Sequence, residues 1–303
     1  MKKLYGITTA MITPFNDDDS INYQSIEALT DFLVVKGVHC LYPLGTTGEM
    51  FRLSEQERKK VAETVINRNN HRATVYIHVG AMTTAETLSL ARHAVEAGAD
   101  GIGVVTPAFF GASDRELEAW FVAVANAVPD DFPVYLYNIP QCSANNLSAD
   151  LAQRIADKCK NVVGIKYSSP DYLTVNQYLA IKDYDFSVMV GADRLCLPAL
   201  AMGCDGVVSG VSCVYPEPFI KIYDTFNRGD IAGARAAQRE ANKYCELLRN
   251  GSNMSYFKEG LKYRGINAGI MRAPQLNITP EEVKSLIAGL TELETSAPFN
   301  PDE

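Results

Sequence analysis

The stretch Val162-Val163-Gly164-Ile165-Lys166 decides how the chain is read. A run of small and β-branched apolar residues fits a strand buried on both faces, as in a parallel sheet. The same reading repeats on either side. Apolar runs at 6–14, 40–44, 75–79, 101–106, 134–137, 187–190 and 206–211 also read as strands. Between them, apolar residues at helical spacing predict helices at 23–35, 54–67, 84–97, 114–127, 148–158 and 173–182. A short helix near 195–202 and one from about Pro216 complete the series. Ser54 and Glu57 stand in capping-box spacing at the head of the second helix. Successive strand–helix units of this number close most simply into a (β/α)8 TIM barrel, which is the fold expected. The alternative is a doubly wound open sheet. Against it, Gly101-Ile-Gly103 begins a dinucleotide-binding pattern but continues Val-Val-Thr106 inside the strand, and no Gly-Lys-Ser/Thr follows Gly45-Thr-Thr-Gly48.

Three more helices are predicted after the last unit, at 231–249, 254–263 and 280–290, the last with Thr279 as N-cap and Pro280 at its first position. The expected organisation is therefore a catalytic barrel at 1–225 and a C-terminal three-helix extension at 226–303, packed on the barrel's outside. The tail from Ser296 is expected to fray.

Composition narrows the function. Of the 303 residues, 47% are hydrophobic and 21% charged, which excludes a disordered chain. A net charge of −8 without a basic run excludes nucleic acid and anionic membranes as partners. A small acidic substrate needs only one local positive site and stays open. No stretch approaches the ~20 apolar residues of a membrane span. Polar residues return at Thr8 and Thr9, so Met1-Lys2-Lys3-Leu4-Tyr5 does not open a signal peptide. Seven cysteines at 40, 142, 159, 196, 204, 213 and 245 include no CxxC pair. They fit a reduced, cytoplasmic protein with buried thiols. The histidines at 39, 71, 78 and 93 form no HxH or HxxxH pair, so no metal is expected.

Active sites of such barrels lie at the C-terminal ends of the strands, so polar residues closing each strand are the candidates. Lys166 ends a strand that should be buried. If side chains alternate, Lys166 and Gly164 share a face and Lys166 points into the barrel mouth. A desolvated amine there loses its proton more readily and attacks carbonyls to form a Schiff base. The other reading is a lysine paired with an acid such as Asp193, or one reaching solvent. Tyr137 ends the adjacent strand, where a phenol can shuttle the protons of imine chemistry; it can equally be an ordinary core tyrosine. Thr46 and Thr47, in a glycine-flexed turn, offer hydroxyls and backbone N–H groups to a small carboxylate, or simply cap the turn. Glu49 is expected to organise that loop.

Gly-Thr-Thr-Gly-Glu at 45–49, Tyr-Asn-Ile-Pro at 137–140 and Gly-Ile-Lys at 164–166 together resemble the dihydrodipicolinate synthase/N-acetylneuraminate lyase family. Thr-Pro at 106–107, Gly-Ala-Asp at 191–193 and Gly-Leu-Lys at 260–262 extend the resemblance over essentially the whole chain. It implies a homotetrameric barrel in which Lys166 forms an imine with pyruvate or another 2-oxo acid and Tyr137 is the general acid/base. It implies that Thr46 and Thr47 hold the pyruvyl carboxylate and that the carbonyl of Val208 faces the pyruvyl methyl. No metal or organic cofactor is implied, because the iminium itself is the electron sink.

The chain departs from both name-giving patterns. Cys142 stands where the synthases carry an arginine for a second carboxylate, and Phe109 where they carry a proton-relaying tyrosine. Asp193-Arg194 and Gly210 stand where sialate lyases place Asp-Glu and a serine. Ser168, Asp193 and Ser209 remain as candidate partners for hydroxyl groups. Arg194 either faces the mouth and binds an anionic far end of the substrate, or lies on the surface paired with an acid. The expected activity is a Schiff-base aldolase or lyase acting on a 2-oxo-3-deoxy sugar acid or related 2-oxo acid, with pyruvate as product or donor. N-acetylneuraminate lyase, dihydrodipicolinate synthase and a 2-oxo acid dehydratase are the alternatives. A non-catalytic 2-oxo acid sensor is the reading from another class.

Overall fold

A computed structural model describes residues 1–296. The expectation for the tail lies outside these residues. Eight parallel strands close in chain order into a barrel, with β1 pairing both β2 and β8. They are β1 (Gly6–Ala10), β2 (Cys40–Tyr42), β3 (Thr74–His78), β4 (Gly101–Val105), β5 (Val134–Asn138), β6 (Val162–Tyr167), β7 (Ser187–Val190) and β8 (Gly206–Ser209). Every strand residue is buried, as the apolar runs require.

The helices around the barrel are α1 (Tyr23–Val35), α2 (Glu55–Asn69), α3 (Thr84–Glu96), α4 (Asp114–Ala125), α5 (Pro140–Ser143), α6 (Ala149–Lys158), α7 (Tyr172–Leu179), α8 (Cys196–Met202) and α9 (Glu217–Asn227). Then follow α10 (Ile231–Leu247), α11 (Met254–Tyr263) and α12 (Pro280–Ser296). Ser54 and Glu57 form the expected capping box on α2, with bonds of 2.8 and 3.2 Å. Thr279 and Glu282 form another on α12. Phe257 and Leu261 of α11 and Leu286 and Leu290 of α12 join the same apolar cluster as the barrel helices.

Several strands are shorter than their apolar runs. β2 stops at Tyr42 because Pro43 has no N–H to donate and Leu44 takes left-handed backbone at φ +66°. β8 gives way to a 3-10 turn at Val211–Cys213. α7 ends at Leu179, ahead of left-handed backbone at Lys182 and Asp183. The helical turn α5, directly after Tyr137-Asn138-Ile139, is not evident in the sequence pattern.

The barrel interior is aromatic. Tyr42, Tyr76 and Tyr135 point inward together with Leu4, Met189 and Val208. Glycines make the room: a methyl at Gly103, Gly101 or Gly164 would collide with the ring of Tyr42, Tyr76 or Tyr135 respectively. Gly101 and Gly164 are the register partners of Tyr76 and Tyr135.

Candidate active site

Tyr137 and Lys166 are register partners on β5 and β6, two pairs further along than Tyr135 and Gly164. The alternation argument holds: Lys166 and Gly164 lie on the inward face. Lys166 is 4% exposed. Its Nζ sits 4.0 Å from the centre of the Tyr137 ring and 5.1 Å from that of Tyr42. Among the described residues no carboxylate reaches ion-pair distance of it, Asp193 included; the ion pairs of the other lysines are formed elsewhere.

The Tyr137 hydroxyl gathers the other groups. Thr46 Oγ1 lies 3.3 Å from it, and Ser168 Oγ donates to it at 3.5 Å. Thr47 Oγ1 stands against Gly210 at the end of β8. Val208 is buried in the barrel interior. Ser209 Oγ accepts the Ser212 N–H at 2.8 Å. The Asp193 carboxyl has one buried oxygen, Oδ1, without a hydrogen-bond partner. Burial pushes this carboxyl up to about 6, against the opposing pull of Ser209, the Val211 N–H and Lys166.

Two of the remaining candidates lie apart from this cluster. Arg194 does not face the mouth. Its Nη2 pairs with Glu246 of α10 at 3.0 Å, and both side chains are exposed. The 3-10 turn Asp193–Leu195 packs against α10 and carries Arg194 outward; of the two readings the structure shows the surface pairing with an acid, and it corrects the one in which Arg194 binds an anionic substrate end. Cys142, on α5, is exposed and lines a cleft of about 530 Å³ at the mouth. Thr46, Met50, Met271 and Leu276 also line it. Arg52 is the cation of its wall, and it is already paired with Glu49 at 2.6 Å. Phe109 and Phe110 stand outside the cleft, about three-quarters exposed, as an edge-to-face pair. Asn145 Nδ2 fixes their loop by bonds to the carbonyls of Pro107 and Phe110 at 2.7 and 2.8 Å.

Three contributors escaped the sequence reading. His78 is fully buried, with its ring centre 5.9 Å from that of Tyr137. Its Nε2 accepts the Val105 N–H at 3.3 Å, which leaves Nδ1–H to donate to the Leu44 carbonyl at 3.0 Å. Burial, then the charges of Arg58 and Lys166, hold it well below the usual histidine range, so it is neutral. Arg58 is buried on α2 and donates to the carbonyls of His78 and Gly80, both at 2.9 Å. Lys258 of α11 pairs with Glu49 at 2.9 Å. Only the Glu49 role was legible, as the organiser of its loop.

A closed parallel barrel with a buried lysine against a tyrosine at its strand ends defines a class, the barrel lyases that work through a Schiff base. Residues 3–293 match the model of the dihydrodipicolinate synthetase family. A DapA-like lyase of Halobacterium salinarum is 33% identical over 290 residues, 96% of this chain and 94% of that protein. The 4-hydroxy-tetrahydrodipicolinate synthase of Bacillus subtilis is 31% identical over 288 residues, 95% of this chain and 99% of that one. Among solved structures, Escherichia coli K12 YagE, a prophage protein of the family in complex with pyruvate, superposes with a TM-score of 0.91 at 27% identity, covering 97% of this chain and 99% of that one. The chain belongs to the dihydrodipicolinate synthetase family. It is accordingly a class I, pyruvate-dependent aldolase or lyase.

Proposed function

We propose that this enzyme cleaves or forms a 2-oxo-3-deoxy sugar acid, or a related hydroxylated 2-oxo acid, with pyruvate as the three-carbon product or donor. Lys166 attacks the keto carbon and loses water to form the imine. Tyr137 moves protons between the carbinolamine oxygen, the imine and the departing hydroxyl. Thr46 and Thr47 hold the carboxylate, and the Val208 carbonyl faces the pyruvyl methyl. Retro-aldol cleavage breaks the bond between carbons 3 and 4. Its electron pair enters the iminium as an enamine, the 4-hydroxyl proton leaves to Tyr137, and an aldehyde departs. Ser168, Asp193 and Ser209 serve the hydroxyls of the outer part.

One observation carries the reading. Lys166 is a buried lysine with no carboxylate at ion-pair distance among the described residues, set against Tyr137 and, through that hydroxyl, against Thr46. The pyruvate complex of YagE supports pyruvate as the three-carbon unit. The cleft argues for a neutral outer part. Cys142 gives a second carboxylate no cation, Arg52 is already paired, and Arg194 points away. Pyruvate release from a panel of 4-hydroxy-2-oxo acids tests the assignment. Neutral polyhydroxy acids should be cleaved and acids with a second carboxylate should be poor substrates; the reverse order contradicts it.

A further inference from the structure

The loop that offers Thr46 and Thr47 is bracketed by two left-handed residues that are not glycine, Leu44 at φ +66° and Glu49 at φ +60°. Such backbone persists only where its surroundings hold it. The loop closes on itself, with Glu49 N–H donating to the Thr46 carbonyl at 3.1 Å and Met50 N–H to that of Gly45 at 3.3 Å. Each bracket is then held from outside by a buried side chain. His78 donates to the Leu44 carbonyl. On the other side, Lys258 pairs with Glu49, both side chains being 1% exposed. Lys258 also donates to the Ile270 carbonyl at 2.6 Å and lies 4.3 Å from the Phe15 ring centre. A buried ion pair adds little stability over an apolar pair of the same volume, so its presence calls for a reason other than stability.

We propose that Lys258 is a positioning residue: through Glu49 it fixes the backbone of Thr46 and Thr47 for the carboxylate of the 2-oxo acid. The C-terminal extension is then part of the working site. The proposal rests on the reading of Lys166 as the imine-forming lysine.

Trapping with borohydride at graded pyruvate concentrations tests it, on the wild type, Lys258→Met, Glu49→Gln and the apolar double variant Glu49→Leu/Lys258→Met. Half-saturating pyruvate should rise about tenfold in each variant, the factor that freeing one backbone residue of the loop implies. The adduct should still form fully at saturating pyruvate. The double variant should recover thermal stability without recovering affinity, which a purely structural pair would not produce. Wild-type half-saturation in folded Lys258→Met, or in the double variant if the single one does not fold, overturns the proposal. A wild type that is not trapped at all overturns the Lys166 reading beneath it.

Discussion

Asp193 holds a carboxyl that titrates near 6 because it is buried beside a lysine and a serine that only partly compensate. Above that pH it is ionised and can accept from a substrate hydroxyl. The profile of kcat/KM against pH should therefore carry an acidic limb near 6, absent in Asp193→Asn. The linked stability runs the other way. The folded state holds the Asp193 proton more tightly than the unfolded chain, whose group titrates near 3.8. Its contribution is present below the unfolded value and is lost as pH rises through about 6. Urea titrations at both ends of that window should show Asp193→Asn gaining on the wild type as pH rises. Tyr137→Phe should still form the trapped lysine adduct but turn over about 100- to 10,000-fold more slowly; turnover near the wild-type rate would remove Tyr137 from the proton path. At this scale the sequence was informative where a residue's place on a strand end sets its direction, as for Lys166 and Tyr137. It was silent for Lys258, whose partner Glu49 lies far away in the chain, and it left Arg194 open because a 3-10 turn has no alternation to follow.

The elements carry a complementarity that periodicity does not reveal. The apolar runs locate the strands, and Gly101-Ile-Gly103 reads correctly as one of them. Why glycine stands there is visible only when Tyr42 and Tyr76, from the neighbouring part of the barrel, are seen to occupy the space. Gly103→Ala should lower stability by about 1–3 kcal/mol through overpacking. Tyr42→Phe should cost less than about 1 kcal/mol, because it removes a buried hydroxyl that has no partner. Urea unfolding of the two variants separates them, and an order reversed from this one would contradict the packing account. Strand ends were the least legible part, since β2 and β8 are cut short by Pro43 and by a 3-10 turn inside continuing apolar sequence.

At the scale of the whole molecule, the C-terminal helices are tied to the barrel by charge as well as by apolar contact. Arg264, just past α11, makes bonds of 2.9 and 2.6 Å to Glu217 of α9, which also takes Lys36 at 2.9 Å. Burial pushes the Glu217 carboxyl up, but Arg264 and Lys36 outweigh it and hold it below the usual range. Arg264→Met should cost near the lower end of the about 3–5 kcal/mol of a broken buried pair, since Lys36 remains. The difference should shrink as pH falls through the Glu217 range, where the protonated carboxyl no longer needs its partner.

The central claim is that Lys166 carries the chemistry. Reduction with borohydride in the presence of pyruvate, followed by peptide mass mapping, tests it directly. The account predicts one pyruvyl adduct, on the peptide holding Lys166, and none in Lys166→Ala. An adduct on Lys258, the other buried lysine among the described residues, or no adduct on the folded protein, would contradict it.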